Sequence, residues 1–452
     1  MLCRIQDKPL GGYRNMVKII PFKGITYNNR KIEDLASVMS PPYDIISEKM
    51  QEELYNNHPN NFVRLILGKQ FKTDSETENR YTRANKNYQK WLNELILNCS
   101  EKPALYPYKI SYQLNGQEKE MNGFFTLLKL DKDYKLVRAH EKTLSKPKAD
   151  RLNLMNACHS NLEPIQLLYI DEKNKIQNMF QDSIKNAPLI DVNGYDQFKH
   201  AIWKITDEKI ISETQQFLDD KILFIADGHH RYQTAINYAE EQMKKTNDSS
   251  ENASFNYRMV ILVNLYDEGL AILPTHRLIK LPNIEENELF ESIEPYFTIE
   301  KNIIDQSKDP SSLVKEMKNK IINEEKHKFA LFFKENNYIL TLKDEEIMNK
   351  LASDRSETWR NLDVSILHKI IIEKGLGITQ ETLENHVKYT RDDEEAITNI
   401  SGGKFDFSIL MNATKIDELK TIADGGEHMP QKSTYFLPKM LSGLVIYNMD
   451  KQ

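Results

Sequence analysis

Ile225-Ala226-Asp227-Gly228-His229-His230-Arg231-Tyr232 separates an apolar run from an amphipathic one. Ile222 to Ile225 reads as a buried strand, and Tyr232, Ala235, Ile236, Ala239 and Met243 recur at the spacing of one helix face. A strand that turns through glycine into a helix aims the free N–H groups of the first turn at whatever lies above it. The helix dipole favours an anion there. One carboxylate, two imidazoles and one guanidinium crowd that turn. Packing gives no reason for four polar groups between two apolar stretches, so the segment reads as a phosphate-handling or acid–base site.

Outward from this turn the chain alternates between the two periods. Ser47 is placed to cap a helix running to Tyr55, and Glu76 to Leu97 carries a long helical pattern. Ala104 to Tyr112 and Met121 to Leu130 alternate as strands around Asn115-Gly116, a hairpin signal. Val137 to Thr143 is a strand end carrying charge, followed by a helix near Leu152 to His159. Val17 to Phe22, Glu163 to Ile170 and Tyr257 to Leu265 read as strands, and Phe329 to Phe333 with Tyr338 to Leu342 as a second hairpin. Further helices are expected at Ser311 to Asn323, Asp363 to Lys374 and Lys415 to Ile422. The class is α+β (mixed α/β), with strand order open. Lys244 to Asn256 lacks periodicity and marks a linker. The expected domains are therefore 16–246 and 257–452, and the reading leaves Met1 and Met16 both open as the start, since the residues before Met16 read as irregular.

With 452 residues, 40% apolar and 28% charged, the chain has globular rather than disordered composition. A net charge of −6 weighs against a nucleic-acid partner. Cys3, Cys99 and Cys158 are odd in number and widely spaced, which argues against a disulfide framework and fits a cytoplasmic protein. No apolar run reaches spanning length, so no membrane partner is expected.

The turn segment gives Gly228 the close backbone approach, Arg231 a bidentate phosphate contact, and His229 and His230 proton or phosphate-oxygen contacts. Its plainer reading is a capped helix, with Asp227 as N-cap. Arg138-Ala139-His140-Glu141 offers a general base or a metal-linked carboxylate at a strand end, or else a charged edge strand. Ser40-Pro41-Pro42-Tyr43-Asp44 is a rigid loop that presents Ser40, Tyr43 or Asp44 to a ligand, or one that simply packs a tyrosine. Thr275-His276-Arg277 is either a second anion-facing cluster or an ordinary surface. Gly425-Gly426 through Lys432-Ser433-Thr434 fails as a P-loop, because Gln431 stands where the second glycine is required and Pro430 stiffens the loop. It keeps N–H groups, a cation and two hydroxyls suited to phosphate.

Taken together, Ser40-Pro-Pro-Tyr-Asp44, Arg138-Ala-His-Glu141, Asp150-Arg151, Ile225 to Tyr232, Pro274-Thr-His-Arg277 and Met429 to Phe436 resemble the domain-of-unknown-function family numbered ten-fifteen. The Asp-Gly-His-His-Arg segment is also similar to the signature of free-serine kinases of the ParB–sulfiredoxin fold. That resemblance implies a ParB/sulfiredoxin-like core in the first half and a second α/β half that closes the site. It implies that Asp227, Gly228, His229, His230 and Arg231 hold the transferring phosphoryl group. Glu141 would be the base, assisted by His140, with Asp44 in reserve. His276, Arg277, Lys432, Ser433 and Thr434 would serve the nucleotide, and Ser40, Tyr43, Asp44, Arg138 and Arg151 the substrate. Family members are often encoded beside phosphoserine aminotransferase and phosphoglycerate dehydrogenase, which implies serine or phosphoserine as substrate, ADP or ATP as co-substrate, and Mg²⁺. The rivals are a ParB-like nucleotidase or nuclease, and a non-catalytic sensor of a phosphorylated metabolite.

Overall fold

Asn115 and Gly116 both adopt left-handed backbone, φ 53° and 77°, as a two-residue hairpin turn requires. They join Tyr106–Leu114 to Gln117–Lys129 in register from Leu114 opposite Gln117 to Tyr106 opposite Phe125. This hairpin lies within a nine-stranded sheet of the computed structural model, which describes residues 16–140, 145–281, 284–303, 309–322, 326–430 and 432–451. The spatial order is Val137–Arg138, Leu223–Asp227, Ile165–Tyr169, Tyr257–Asn264, Gln117–Lys129, Tyr106–Leu114, Lys199–Ile202 and Ile190–Asn193, with Ile19–Ile20 pairing Gln117–Lys129. Every residue of Tyr257–Asn264 is buried, which a strand with both faces covered demands of its sequence.

The expected second domain opens at Tyr257, yet the strand beginning there sits in the middle of this first sheet, between Ile165–Tyr169 and Gln117–Lys129. An apolar run of this kind specifies double-sided burial but not the sheet that supplies it. The expected linker also begins later than its composition suggests, because the helix His229–Thr246 continues through Lys244 and Lys245.

A second, fully antiparallel sheet of six strands runs in the order Phe297–Ile303, Asn336–Leu342, Lys328–Phe332, Phe407–Leu410, His276–Ile279, Val387–Thr390. Its pleat divides alternate residues between two apolar clusters. Phe329 and Leu331 join the main core, while Ala330 and Phe332 pack with Leu313, Val314 and Met317 of the helix Pro310–Ile321. The mixed α/β class and the second α/β half are thus both present. The C-terminal segment then returns to the first half. Tyr435–Leu437 pairs with Ala271–Leu273, and Tyr447–Asn448 with Ser160–Asn161.

Local expectations agree where capping or turn chemistry is decisive. Ser47 accepts from the Met50 N–H to start the helix Glu48–Asn57. The helix expected from Glu76 to Leu97 is shorter, Arg80–Asn93, because Asn79 and Thr82 form a reciprocal cap at its start. Asp363 to Lys374 is helical throughout, but the turn Asp363–Ile366 widens into a π-helical stretch, Leu367–Gly375. Among the described residues no helix is long and apolar enough to cross a membrane, and Cys99 and Cys158 carry free thiols.

Candidate functional site

The strand Leu223–Asp227 pairs antiparallel with Ile165–Tyr169, and the register slips between Ile225 and Asp227, so that Asp227 becomes the partner of Gln166. A slip of this kind bends a strand end and re-aims its last side chain. Gly228 follows with φ 95° and opens the helix His229–Thr246. A Cβ at Gly228 would lie 3.1 Å from Nε of Arg231, so both backbone and space ask for glycine. As capping residue it brings no side-chain acceptor, which leaves the first-turn N–H groups suited to an anion.

Asp227 is gripped from two sides. Nη2 of Arg231 donates to its Oδ2, and Nζ of Lys439 donates to Oδ1 at 2.5 Å. Burial opposes ionisation of this carboxyl, but Lys439 and Arg231 overcome it and hold the pKa well below the carboxylate range. Arg231 spends Nη1 on the Pro164 carbonyl. Its guanidinium therefore locks the turn to the neighbouring strand rather than lying open for a bidentate phosphate contact.

The turn faces a cavity of about 190 Å³. Asp227, Gly228, His229, His230 and Arg231 form its floor, Tyr43 and Asp44 one wall, and Lys432 and Thr434 another. Asp44 and Lys432 are exposed, and His230 is half-buried. Burial, with Lys432 and Lys148 nearby, lowers the pKa of His230. With Thr275, four of the motifs from distant parts of the chain meet at this cavity.

His140 connects them from behind. Its backbone N–H donates to Nε2 of His229 at 3.4 Å, its Nε2 lies 3.0 Å from the Thr434 hydroxyl, and its ring meets the His229 ring edge-on at 4.6 Å. The Met429 N–H donates to the His140 carbonyl at 2.7 Å. Burial drives the pKa of His140 down to about 3 and that of His229 well below its ordinary value. Both rings are therefore neutral at pH 7, as an Nε2 that accepts a hydrogen bond requires. His229 also lines a larger cleft of about 790 Å³, whose other walls include Tyr134, Arg138, Gln233 and Gly425-Gly426.

Several expected site residues lie elsewhere. Glu141 lies outside the described residues. Arg138 borders the larger cleft, where its Nη1 donates to the Ala423 and Asp424 carbonyls and to Oδ1 of Asp424. It closes the C-terminus of the helix Ile416–Asp424. Ser40 is buried and exchanges backbone hydrogen bonds with Ser442. Arg151 is buried behind Tyr43, its guanidinium 3.9 Å from the ring centroid. Burial pushes the Tyr43 hydroxyl up to about 12 despite that neighbour. Ser433 donates to the Pro430 carbonyl.

His276 and Arg277 are 0% exposed. They belong to a strand enclosed between Val387–Thr390 and Phe407–Leu410, and so lie neither on a surface nor at the cavity. Nε2 of His276 pairs with Asp393 at 2.7 Å, and Arg277 donates to the Thr275 and Lys432 carbonyls. Burial lowers the pKa of Arg277 to about 10.

Sequence reading passed over Tyr389, Arg391 and Lys439 of the cavity, and quoted Tyr435 within Met429 to Phe436 without giving it a role. Arg391 stacks on the Tyr435 ring at 3.8 Å, and Lys439 lies 4.5 Å from the same ring. No local spacing announces Arg391 or Lys439. Each reaches the turn only because the second sheet and the C-terminal segment fold back onto the first sheet.

No curated protein matches the sequence. Solved structures with partial likeness include a conserved hypothetical protein from Pyrococcus furiosus. It is 13% identical, with TM-score 0.34, over 73% of this chain and 97% of that one. A free serine kinase in complex with AMP is 12% identical, with TM-score 0.33, over 70% of this chain and 87% of that one. C-terminally truncated SbnI from Staphylococcus aureus is 9% identical, with TM-score 0.34, over 68% and 82%. Residues 19–365 match the model of the family described as protein of unknown function, DUF1015, and the chain belongs to that family.

Proposed function

We propose that this protein is a phosphotransferase that moves a phosphoryl group between an adenine nucleotide and the hydroxyl of free serine, or runs the same step in reverse from phosphoserine. The observation that carries this reading is the shared wall. His229 borders both the 190 Å³ cavity and the 790 Å³ cleft, an arrangement suited to holding an acceptor and a nucleotide side by side. The larger cleft takes the nucleoside, the smaller cavity takes serine, and the phosphoryl group sits at the Gly228 turn between them.

The serine hydroxyl oxygen forms a new bond to phosphorus as the bridging bond to the nucleotide breaks, and the hydroxyl proton passes to a carboxylate. Glu141, which follows His140 in the sequence, is the proposed base, with Asp44 of the small cavity in reserve. Charge on the phosphoryl oxygens is met by Lys432, His230, Arg391 and the first-turn N–H groups. Asp227 and Arg231 hold that frame rigid and take no part in proton transfer.

Among the described residues no group of three or more His, Cys, Asp or Glu side chains is placed to hold a metal ion. Mg²⁺ would arrive on the nucleotide phosphates, with Asp44 of the small cavity as its single protein carboxylate. When bound, the ion would supply charge neutralisation.

The test is nucleotide conversion by purified protein given serine with ATP or ADP, and phosphoserine with ADP or AMP, each with Mg²⁺. Turnover in one pair is expected. Silence in all of them defeats the proposal.

A further inference from the structure

Behind the Asp227–Arg231 clamp lies a smaller cavity of about 30 Å³, bounded by Arg151, Glu163, Arg231 and Arg258 with Ser160 and Thr234. Arg151, Arg231 and Arg258 are 6%, 7% and 4% exposed. Buried guanidinium groups ordinarily come with carboxylates. Arg231 has Asp227, and Arg151 has Asp150 and, at 3.5 Å, Glu163. Arg258 gives Nη2 to the Glu163 backbone carbonyl at 2.7 Å and makes no ion pair among the described residues. Its Nε has no hydrogen-bond partner, and the Nη1 of Arg151 has only the 3.5 Å ion-pair contact with Oε2 of Glu163.

The acids available are also shared. Asp227 serves Lys439 as well as Arg231, and Asp150 serves Arg80 as well as Arg151. Oε1 of Glu163 already accepts from the Tyr43 N–H and the Ser442 hydroxyl. Arg80, Arg151, Arg231, Arg258 and Lys439 thus stand against Asp44, Asp150, Glu163 and Asp227, an excess of one positive charge around the void.

We infer that this cavity holds a monatomic anion of the halide class, seated between Arg258 Nε and Arg151 Nη1. Water would satisfy the two donors but leave the charge unanswered. At about 30 Å³ the space is about what two waters fill by this measure, which suits one halide. Because Arg231 lines both this cavity and the outer one, the ion backs the turn that faces the phosphoryl site. Its presence does not depend on which reaction that site performs.

The test is thermal unfolding of the full chain at fixed ionic strength, with chloride replaced stepwise by gluconate, together with a bromide-soaked crystal measured at the bromine absorption edge. A saturable rise of about 1–3 °C with chloride or bromide is expected, with an anomalous peak beside Arg258. Arg258→Lys, which keeps the charge but loses Nε, should need about tenfold more chloride for the same rise. Equal midpoints in chloride and gluconate, or a cavity without an anomalous peak in the unaltered protein, overturn the inference.

Discussion

Nζ of Lys439 lies 2.5 Å from Oδ1 of Asp227, although 212 positions separate them in the chain. This contact ties the C-terminal segment to the strand end that carries the glycine turn. Only 11% of the lysine side chain and 19% of the aspartate side chain are exposed, so the pair is screened little by solvent. Lys439→Met should lower unfolding free energy by about 2–4 kcal/mol in urea denaturation, because it leaves a buried carboxylate with one cation instead of two. A loss below about 0.5 kcal/mol would place the contact among interactions of no energetic consequence.

Acid should destabilise the protein well before its carboxylates titrate. His140 and His229 have folded-state pKa values pushed below 6.5, that of His140 to about 3, while in the unfolded chain both sit near about 6.5. Below that value the unfolded chain binds more protons than the folded one. Stability is therefore complete above about pH 6.5 and falls as pH drops toward the folded values, by up to about 1.4 kcal/mol per pH unit for each histidine. Asp227, whose folded value is also depressed, adds a further loss only below its unfolded value of about 3.9. Urea midpoints between about pH 7.5 and about pH 5 should show this slope, with a shallower one in His140→Gln. A flat profile would mean the two imidazoles are solvated.

Gly228→Ala tests the turn. Its φ of 95° and the 3.1 Å approach of Arg231 Nε predict a loss of about 1–3 kcal/mol in stability. A greater loss of phosphate-ligand affinity should accompany it, since relieving the clash moves the first helical turn. Calorimetric titration with ADP measures the second effect. Unchanged binding would remove the helix N-terminus from the ligand site.

Lys432 and His276 separate ligand contact from architecture. Lys432 is exposed on the cavity, so Lys432→Ala should weaken ADP or phosphoserine binding about 10–100-fold with little change in unfolding midpoint. His276 is enclosed, pairing with Asp393 and accepting from the Met411 N–H. His276→Leu should therefore cost about 2 kcal/mol or more of stability and leave binding unaltered. Reversed behaviour of the two variants would show that the nucleotide lies along the His276 strand.

Read alone, the chain determined whatever depends on neighbours in sequence. Asn115-Gly116 read as a tight hairpin, Ser47 as a helix start, and Asp227 to Arg231 as a turn from strand to helix, and the structure has all three. Each follows from backbone preference or from a period within a few residues. Tertiary structure alone decided which charges stay open to a ligand. Arg231 looked like a phosphate clamp, yet its guanidinium is taken up by Asp227 and Pro164. Arg277 looked exposed, yet pairing on both sides seals it. Lys439 and Arg391 carried no local mark, yet chain return brings both to the cavity. The physical reason is that a charge acts according to its partners and its burial. Those are set by contacts between segments hundreds of residues apart, which no local pattern encodes.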